Sequence, residues 1–163
     1  MRAGMRSTIR AAMFTGTVAA VLSSLVVTVC GALENGRALA PHNGPSQWIY
    51  GKSAARRRSI TLRHTLVGFL IHHASSCWWA FVQRRVFPVR PQGTPFVAHI
   101  GEGAVIAVLA SVVDYKVVPQ RLQPGFDKHV SLSSLTAVYV AFGIGIALGA
   151  HLLSRAEPRR RPE

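Results

Sequence analysis

Four long apolar segments, separated by basic and polar residues, constrain this chain more than any other feature of its sequence. An α-helix rises 1.5 Å per residue, so an apolar segment of about 20 residues is long enough to cross a hydrocarbon core of about 30 Å. Inside a bilayer the backbone must satisfy its own hydrogen bonds, and each segment is therefore predicted to be a helix. The predicted spans are residues 11–33, 63–82, 95–113 and 133–153.

These spans predict an all-α fold, an integral membrane four-helix bundle in which residues 1–163 form a single membrane domain. Two loops, residues 34–62 and 114–132, are predicted to be ordered. The first apolar segment exceeds the usual length of the hydrophobic region in a signal peptide, so it is predicted to be an anchor and not a cleaved leader.

The charge distribution agrees with a membrane protein. Hydrophobic residues make up 49% of the chain, yet the formal net charge is +13, and these facts fit together because apolar and basic residues are segregated. A large net positive charge can indicate nucleic-acid binding. Arginines that flank apolar segments are, however, what membrane topology requires, so no nucleic-acid partner is predicted. The flanking residues include Arg6 and Arg10 before the first span and Arg159, Arg160 and Arg161 after the last.

Four spans place both termini on one side of a membrane. The Lys and Arg residues divide almost equally, 10 against 9, between the side of the termini and the side of the two long loops. The positive-inside rule therefore favours cytoplasmic termini only slightly, in a multi-pass protein of the plasma membrane.

Small residues recur at a spacing of four in every span, which allows helices to approach closely in lipid. The fourth span carries Ala137, Ala141, Gly145 and Gly149. These rows predict a compact bundle in which they face inward. The alternative is that the row in the fourth span mediates self-association of the chain.

Two ionisable residues lie inside predicted spans, His72 in the second and Glu102 in the third. His72 lies on the small-residue row of its helix, whereas the neighbouring His73 points about 100° away. Counted from the span ends, His72 and Glu102 differ in height by about 4 Å, so a contact between them is geometrically possible. The pair could relay a proton, because burial of such groups is costly, or could form a structural hydrogen bond.

The sequence predicts no cofactor and no metal site. Haem needs two histidines that face each other from different helices, and His72 has no such partner at its depth; His99 and His151 match in depth but lie close to the surface. Cys30 and Cys77 differ in depth by about 15 Å, which excludes a disulfide between them. No phosphate-binding loop, catalytic triad or carboxylate pair is present, so an enzyme is not predicted.

Three stretches carry a resemblance: "PHNGPSQWIYG" after the first span, "GFLIHHASSCWWA" in the second and "VVDYKVVPQRLQPGFD" after the third. With them, the chain resembles a family of small four-span bacterial inner-membrane proteins that has no assigned activity. The resemblance implies location in the cell inner membrane, and that family has Glu where this chain has Asp127. The residues that carry it are Asn43, Trp48, Gly51, His72, His73, Asp114, Tyr115, Val118, Pro119, Arg121, Leu122, Pro124, Gly125 and Phe126.

Both long loops fall on the same side of the predicted bundle. Pro119 and Pro124 stiffen the second loop. A cap made from Asn43, Trp48, Asp114 and Arg121 is the second candidate site, with Asp114 within reach either of Arg121 or of Arg63 and His64 on the second span. The alternative is that two ordered loops only close the end of the bundle.

The sequence favours two functions, and a third, a membrane redox or lipid-modifying enzyme, stays open although the missing ligand pairs disfavour it. The first is a structural, accessory or lipid-interacting membrane bundle, whose partners are the lipid bilayer and either a second copy of the chain or another membrane protein. The second is a small proton-coupled transporter or channel that uses Glu102 and His72.

Overall fold

The computed structural model describes residues 2–156, with side chains from residue 5 onward; Arg159, Arg160 and Arg161 lie outside the described residues. Over residues 2–156 the structure is all-α, without a strand, which confirms the all-α part of the predicted fold class. Its helices are α1 (Arg2–Asn35), α2 (Gln47–Tyr50), α3 (Lys52–Ala55), α4 (Val67–Val86), α5 (Phe96–Val112) and α6 (Leu132–Ala156).

Short helical turns extend or connect these helices. A π-helical turn, Leu62–Leu66, leads into α4, and a second, Val113–Val117, continues α5. Three 3₁₀ segments lie in the loops: Ala40–Ser46, Gln120–Leu122 and Phe126–Lys128. The four predicted spans therefore coincide with the four long helices α1, α4, α5 and α6.

Within the described residues, three segments are long and apolar enough to cross a membrane: Met5–Asn35, Phe96–Val117 and Leu132–Ala156. The second predicted span, residues 63–82, which corresponds to α4, is not among them. Its sequence explains the difference, because His72, His73 and two serines interrupt the apolar residues of α4.

The long helices pack in the order α4, α1, α6, α5, with α1 between α4 and α6, while α4 and α5 share only a small contact. Small residues make the close approaches. A methyl group added at Gly145 would contact Ala19 of α1, and one added at Gly149 would contact Thr15. Gly145 and Gly149, two residues of the row in the fourth predicted span that could have mediated self-association, are therefore used within the chain, against α1.

The loops close one end of the helices, which we call the loop end; the opposite end, where α4 leads to α5, is the terminal end. Hydrogen bonds join the two loops. The Asn35 amide donates to the His129 carbonyl at 2.7 Å, and the Gln47 amide donates to the Gln123 carbonyl at 2.7 Å. At the same end, the backbone N–H of Ser131 donates to the Glu34 carboxylate at 2.7 Å.

Candidate functional site

His72 lies inside the bundle, where α4 faces α1. Its Nε2 is 2.9 Å from the hydroxyl of Ser23, and its ring meets the edge of the Phe126 ring with 5.3 Å between centroids. The Ser76 hydroxyl, one turn further along α4, donates a hydrogen bond to the His72 carbonyl at 2.9 Å. His72 is thus held from α1 on one side and from the second loop on the other.

A cavity of about 40 Å³ adjoins His72. Its polar lining comes from all four long helices: Ser23 of α1, His72 and Ser76 of α4, Asp114 of the α5 extension and Tyr139 of α6. Trp48 and Phe126 belong to the loops that cover it. A space of this size has room for a few water molecules and not for a substrate of metabolite size.

Asp114 joins α5 to α6 at this cavity. The Tyr139 hydroxyl donates to the Asp114 carboxylate at 2.7 Å. Asp114 was expected near Arg121, but Arg121 is exposed and its side chain has no hydrogen bond or ion pair within residues 2–156. Tyr139 takes the place of Arg121 because α6 passes directly beside the end of α5.

The predicted cap is therefore only partly assembled. Trp48 and Asp114 line the same cavity as His72, which brings part of the second candidate site together with part of the first. Asn43 is fully buried in another role: its amide donates to the carbonyls of Arg57 at 2.6 Å and Ser59 at 3.1 Å. The Thr65 hydroxyl donates to its side-chain oxygen at 2.8 Å, so Asn43 anchors the first loop to the start of α4.

Glu102 lies in a separate polar cluster at the terminal end. The Gln83 amide donates to one carboxylate oxygen at 2.7 Å, and Nε of Arg90 donates to the other at 2.6 Å. The Glu102 side chain is only 4% exposed, so these donors replace water as its hydrogen-bond partners.

The predicted contact between His72 and Glu102 is wrong. Gln83, the partner of Glu102, lies 11 residues beyond His72 in α4, which corresponds to about 16 Å along the helix axis. The prediction failed because α4 continues to Val86, four residues past the predicted span, and the loop that follows brings Arg90 back to Glu102. Depth counted from assumed span ends could not include either feature.

The other histidines differ in their surroundings. His73 lies beside the exposed Thr17, 3.2 Å from its hydroxyl, at the edge of the α1–α4 contact, as expected for a residue that turns away from His72. His99 and His151, which match in depth, meet edge to face with 5.4 Å between ring centroids. No group of three or more potential metal ligands occurs in the described part of the chain.

Two loop histidines are buried at the loop end. Nε2 of His42 is 2.8 Å from the Thr28 hydroxyl, and burial lowers the pKa of His42. Nε2 of His129 donates to the Ala55 carbonyl at 2.6 Å; burial also lowers the pKa of His129, although this hydrogen bond acts in the opposite direction. Both rings therefore act as neutral packing and hydrogen-bonding groups that join the loops to the helices.

Sequence reasoning missed Ser23, Tyr139, Gln83 and Arg90. A serine or a tyrosine in an apolar segment is common and gives no signal of its own. Gln83 and Arg90 lie beyond the predicted end of the second span at residue 82, where polar residues are expected. The buried carboxylate of Glu102 needs hydrogen-bond donors from a neighbouring segment, and this requirement could have pointed to Gln83 and Arg90.

Two grooves open on the outside of the helices. The α1–α4 groove, about 500 Å³, lies between α1 and residues 60–69, with Leu39 and His42 where it reaches the loop end. The α5–α6 groove, about 650 Å³, lies between α5 and α6 and reaches Lys116 and Asp127 at the loop end. Both are lined mainly by apolar side chains that face away from the core.

Comparison with protein-family models, with curated proteins and with solved structures finds no match to this chain.

Proposed function

We propose that this protein is an integral four-helix bundle of the cell inner (plasma) membrane, that it interacts with lipid as a structural or accessory module, and that it catalyses no reaction. In this proposal α4 spans the membrane together with α1, α5 and α6, and both termini lie on the cytoplasmic side. Such an assignment agrees with the resemblance to small four-span bacterial inner-membrane proteins.

The observation that carries the proposal is the distribution of space. The internal cavity measures about 40 Å³, whereas the grooves on the outside measure about 500 and 650 Å³. A protein that moves or converts a polar substrate needs its space inside, among polar groups. Space on an apolar outer face suits the acyl chains of lipid, which surround a membrane bundle on every side.

The distribution of side chains supports membrane insertion of α4 as well. The buried positions of α4 are small or polar: Gly68, Ser76, Cys77, Ala80 and Gln83. Its exposed positions include Leu70 and Trp78, which are 54% and 61% exposed. Polar residues inside and large apolar residues outside are the arrangement expected for a helix that faces neighbouring helices and lipid.

Topology is tested by single cysteines on either side of α4. A cysteine that replaces the exposed Ser53 should react with a membrane-impermeant maleimide in intact cells. One that replaces the exposed Gln92 should react only after the membrane is permeabilised. The unmodified chain, with Cys30 and Cys77, gives the background reaction. Equal labelling at both positions in intact cells would refute the spanning of α4.

Lipid interaction is tested by purification of the full chain in a mild detergent, followed by mass spectrometry of the lipids that remain bound. The proposal requires lipid at a fixed ratio to protein after extensive washing. A preparation free of bound lipid would contradict it.

A small proton-coupled transporter or channel is the second candidate. One observation favours it: the cavity collects the ionisable side chains of His72 and Asp114. A route that also used Glu102 would have to cross about 16 Å of α4 between the two polar clusters. In proteoliposomes, proton flux that is lost in both His72→Gln and Glu102→Gln would favour transport over the structural role.

A further inference from the structure

Two buried polar atoms at the α1–α4 groove have no hydrogen-bond partner within the described residues: Oγ of Ser24 and Nδ1 of His42. Ser24 is 8% exposed and His42 is 5% exposed, and both line the groove. The other ring nitrogen of His42 is 2.8 Å from the Thr28 hydroxyl. Native proteins rarely leave such groups unpaired, and a ligand in this groove that carries hydrogen-bonding oxygens would satisfy both after a small rotation of each side chain. The α5–α6 groove also has two such atoms, Oη of Tyr115 and Oδ1 of Asp127, but the carboxylate of Asp127 there does not suit an anionic ligand.

The walls beside these atoms are apolar. Val21 and Leu25 of α1 face Leu66 and Phe69 across the groove. Val21 and Leu25 are 45% and 58% exposed, so the groove opens sideways, away from the core. A ligand that occupies it must combine a long apolar part with a polar part near Ser24 and His42.

The chain around the loop end of the α1–α4 groove is strongly basic. Residues 35–66 carry six Lys or Arg residues, Arg37, Lys52, Arg56, Arg57, Arg58 and Arg63, and the chain has no Asp or Glu from residue 35 to residue 101. Arg56, Arg57 and Arg58 are exposed, and the Arg57 carbonyl accepts a hydrogen bond from Asn43, next to His42. Basic residues beside a membrane surface attract anionic headgroups.

We infer that the α1–α4 groove binds one anionic phospholipid: an acyl chain lies along Val21 and Phe69, ester oxygens face Ser24 and His42, and the headgroup meets the basic loop. This inference rests on the proposed lipid interaction and specifies its site and its lipid class. Neutral His42 suits an uncharged ester oxygen, because burial lowers the pKa of its ring. The arginines supply the charge recognition.

The decisive experiment fills the groove. The full chain is reconstituted into nanodiscs that contain equal amounts of phosphatidylglycerol and phosphatidylcholine. It is then extracted into detergent, and native mass spectrometry counts the lipid that it retains. Wild type should retain one phosphatidylglycerol. Val21→Trp should reduce retention at least about tenfold, since its indole occupies the position of the acyl chain. The matched control is Val140→Trp, at a similarly exposed valine in the α5–α6 groove, which should retain the lipid.

The polar contacts are tested separately. Ser24→Ala should weaken retention about fivefold through the loss of one hydrogen bond, yet should not lower the melting temperature of the lipid-free protein, because it removes an unpaired group. Ser111→Ala is the control, since the Ser111 hydroxyl already donates to the Val108 carbonyl at 2.8 Å. A serine with a purely structural role would show the reverse pattern.

The headgroup preference is tested with Arg57→Gln combined with Arg58→Gln. This double variant should bind phosphatidylglycerol and phosphatidylcholine equally, whereas Arg6→Gln combined with Arg10→Gln, also exposed and distant, should keep the preference. Phosphatidylglycerol that survives Val21→Trp would overturn the site but not the proposed function. Equal retention of both lipids by wild type would overturn the lipid class, and no retained lipid would overturn both proposals.

Discussion

The two polar clusters along α4 differ in how their buried ionisable side chains are hydrogen-bonded. At the terminal end, Glu102 is enclosed and both its carboxylate oxygens have close donors, Gln83 and Arg90. At the loop end, His72, Asp114 and Tyr139 share a cavity that has room for water. A charge that is buried without water depends on each donor, whereas a group beside a hydrated cavity can replace a lost partner. The terminal-end cluster should therefore respond more strongly to mutation.

The largest effect is expected at the terminal end. Arg90→Ala removes a donor from the buried carboxylate of Glu102 and should lower the free energy of unfolding by about 3 kcal/mol. Unfolding by sodium dodecyl sulfate in mixed micelles, followed by circular dichroism, measures the change. The exposed Arg85→Ala is the control and should change stability by less than about 0.5 kcal/mol.

The charge on Glu102 provides the second arm of this test. Glu102→Gln in the Arg90→Ala background should restore much of the lost stability, because an amide is cheaper to bury than a carboxylate. If Arg90→Ala proves as mild as Arg85→Ala, the view that the terminal-end cluster depends on each donor is wrong.

The second largest effect is expected at Gly68. A methyl group at this position would overlap the His42 carbonyl, which belongs to the backbone of the first loop and cannot rotate away. Gly68→Ala should therefore displace the loop and cost about 2 kcal/mol, by analogy with overpacked cores. Thermal melting in detergent measures the loss.

Gly101, beside Glu102, is the matched glycine for this comparison. A methyl group there would meet open space, so Gly101→Ala should leave stability unchanged or raise it by up to about 1 kcal/mol through helix propensity. A loss of similar size in both variants would show that the effect is not specific to the loop contact.

Lower pH should weaken the loop end. Burial lowers the pKa of His42 and His129 from the ordinary value of 6.5, so the unfolded chain takes up protons more readily than the folded chain. Their contribution to stability is complete above pH 6.5 and decreases as the pH falls below it, by up to about 1.4 kcal/mol per histidine per pH unit. Hydrogen exchange in residues 40–55 should accelerate between pH 7.5 and pH 5.5, after correction for the intrinsic pH dependence of exchange.

The control replaces the titrating group. His129→Gln should lose part of the additional acceleration, since glutamine does not titrate and can still donate to the Ala55 carbonyl. An unchanged pH dependence in the combined His42→Gln and His129→Gln variant would assign the effect to other groups.

The smallest effect is expected at the cavity. Tyr139→Phe removes the donor to Asp114, but water in the cavity can replace it, so the free energy of unfolding should fall by only about 1 kcal/mol. Asp114→Asn keeps an acceptor for the tyrosine and should cost less than about 0.5 kcal/mol. A loss near 3 kcal/mol from Tyr139→Phe would mean that the cavity is dry and that the two clusters behave alike.

Helix positions followed from the sequence, because apolar segments of about 20 residues leave few alternatives to helices. Small residues at a spacing of four correctly indicated close packing, and Gly145 and Gly149 are buried against α1. Their partner was not predictable, since a small-residue row fits another helix of the same chain as well as a second copy. Likewise, the sequence identified His72, Glu102 and Asp114 as unusual but did not identify their partners.

The sequence by itself thus determined the all-α character of the protein, its apolar segments and its ionisable interior residues, because these depend on composition along one segment. Only the tertiary structure decided which polar residues meet. Partner choice depends on where each helix ends and how the loops return, and small changes in these features move a side chain by several ångströms. For this reason Glu102 pairs with Arg90 from the following loop, and His72 meets Ser23 and shares its cavity with Asp114.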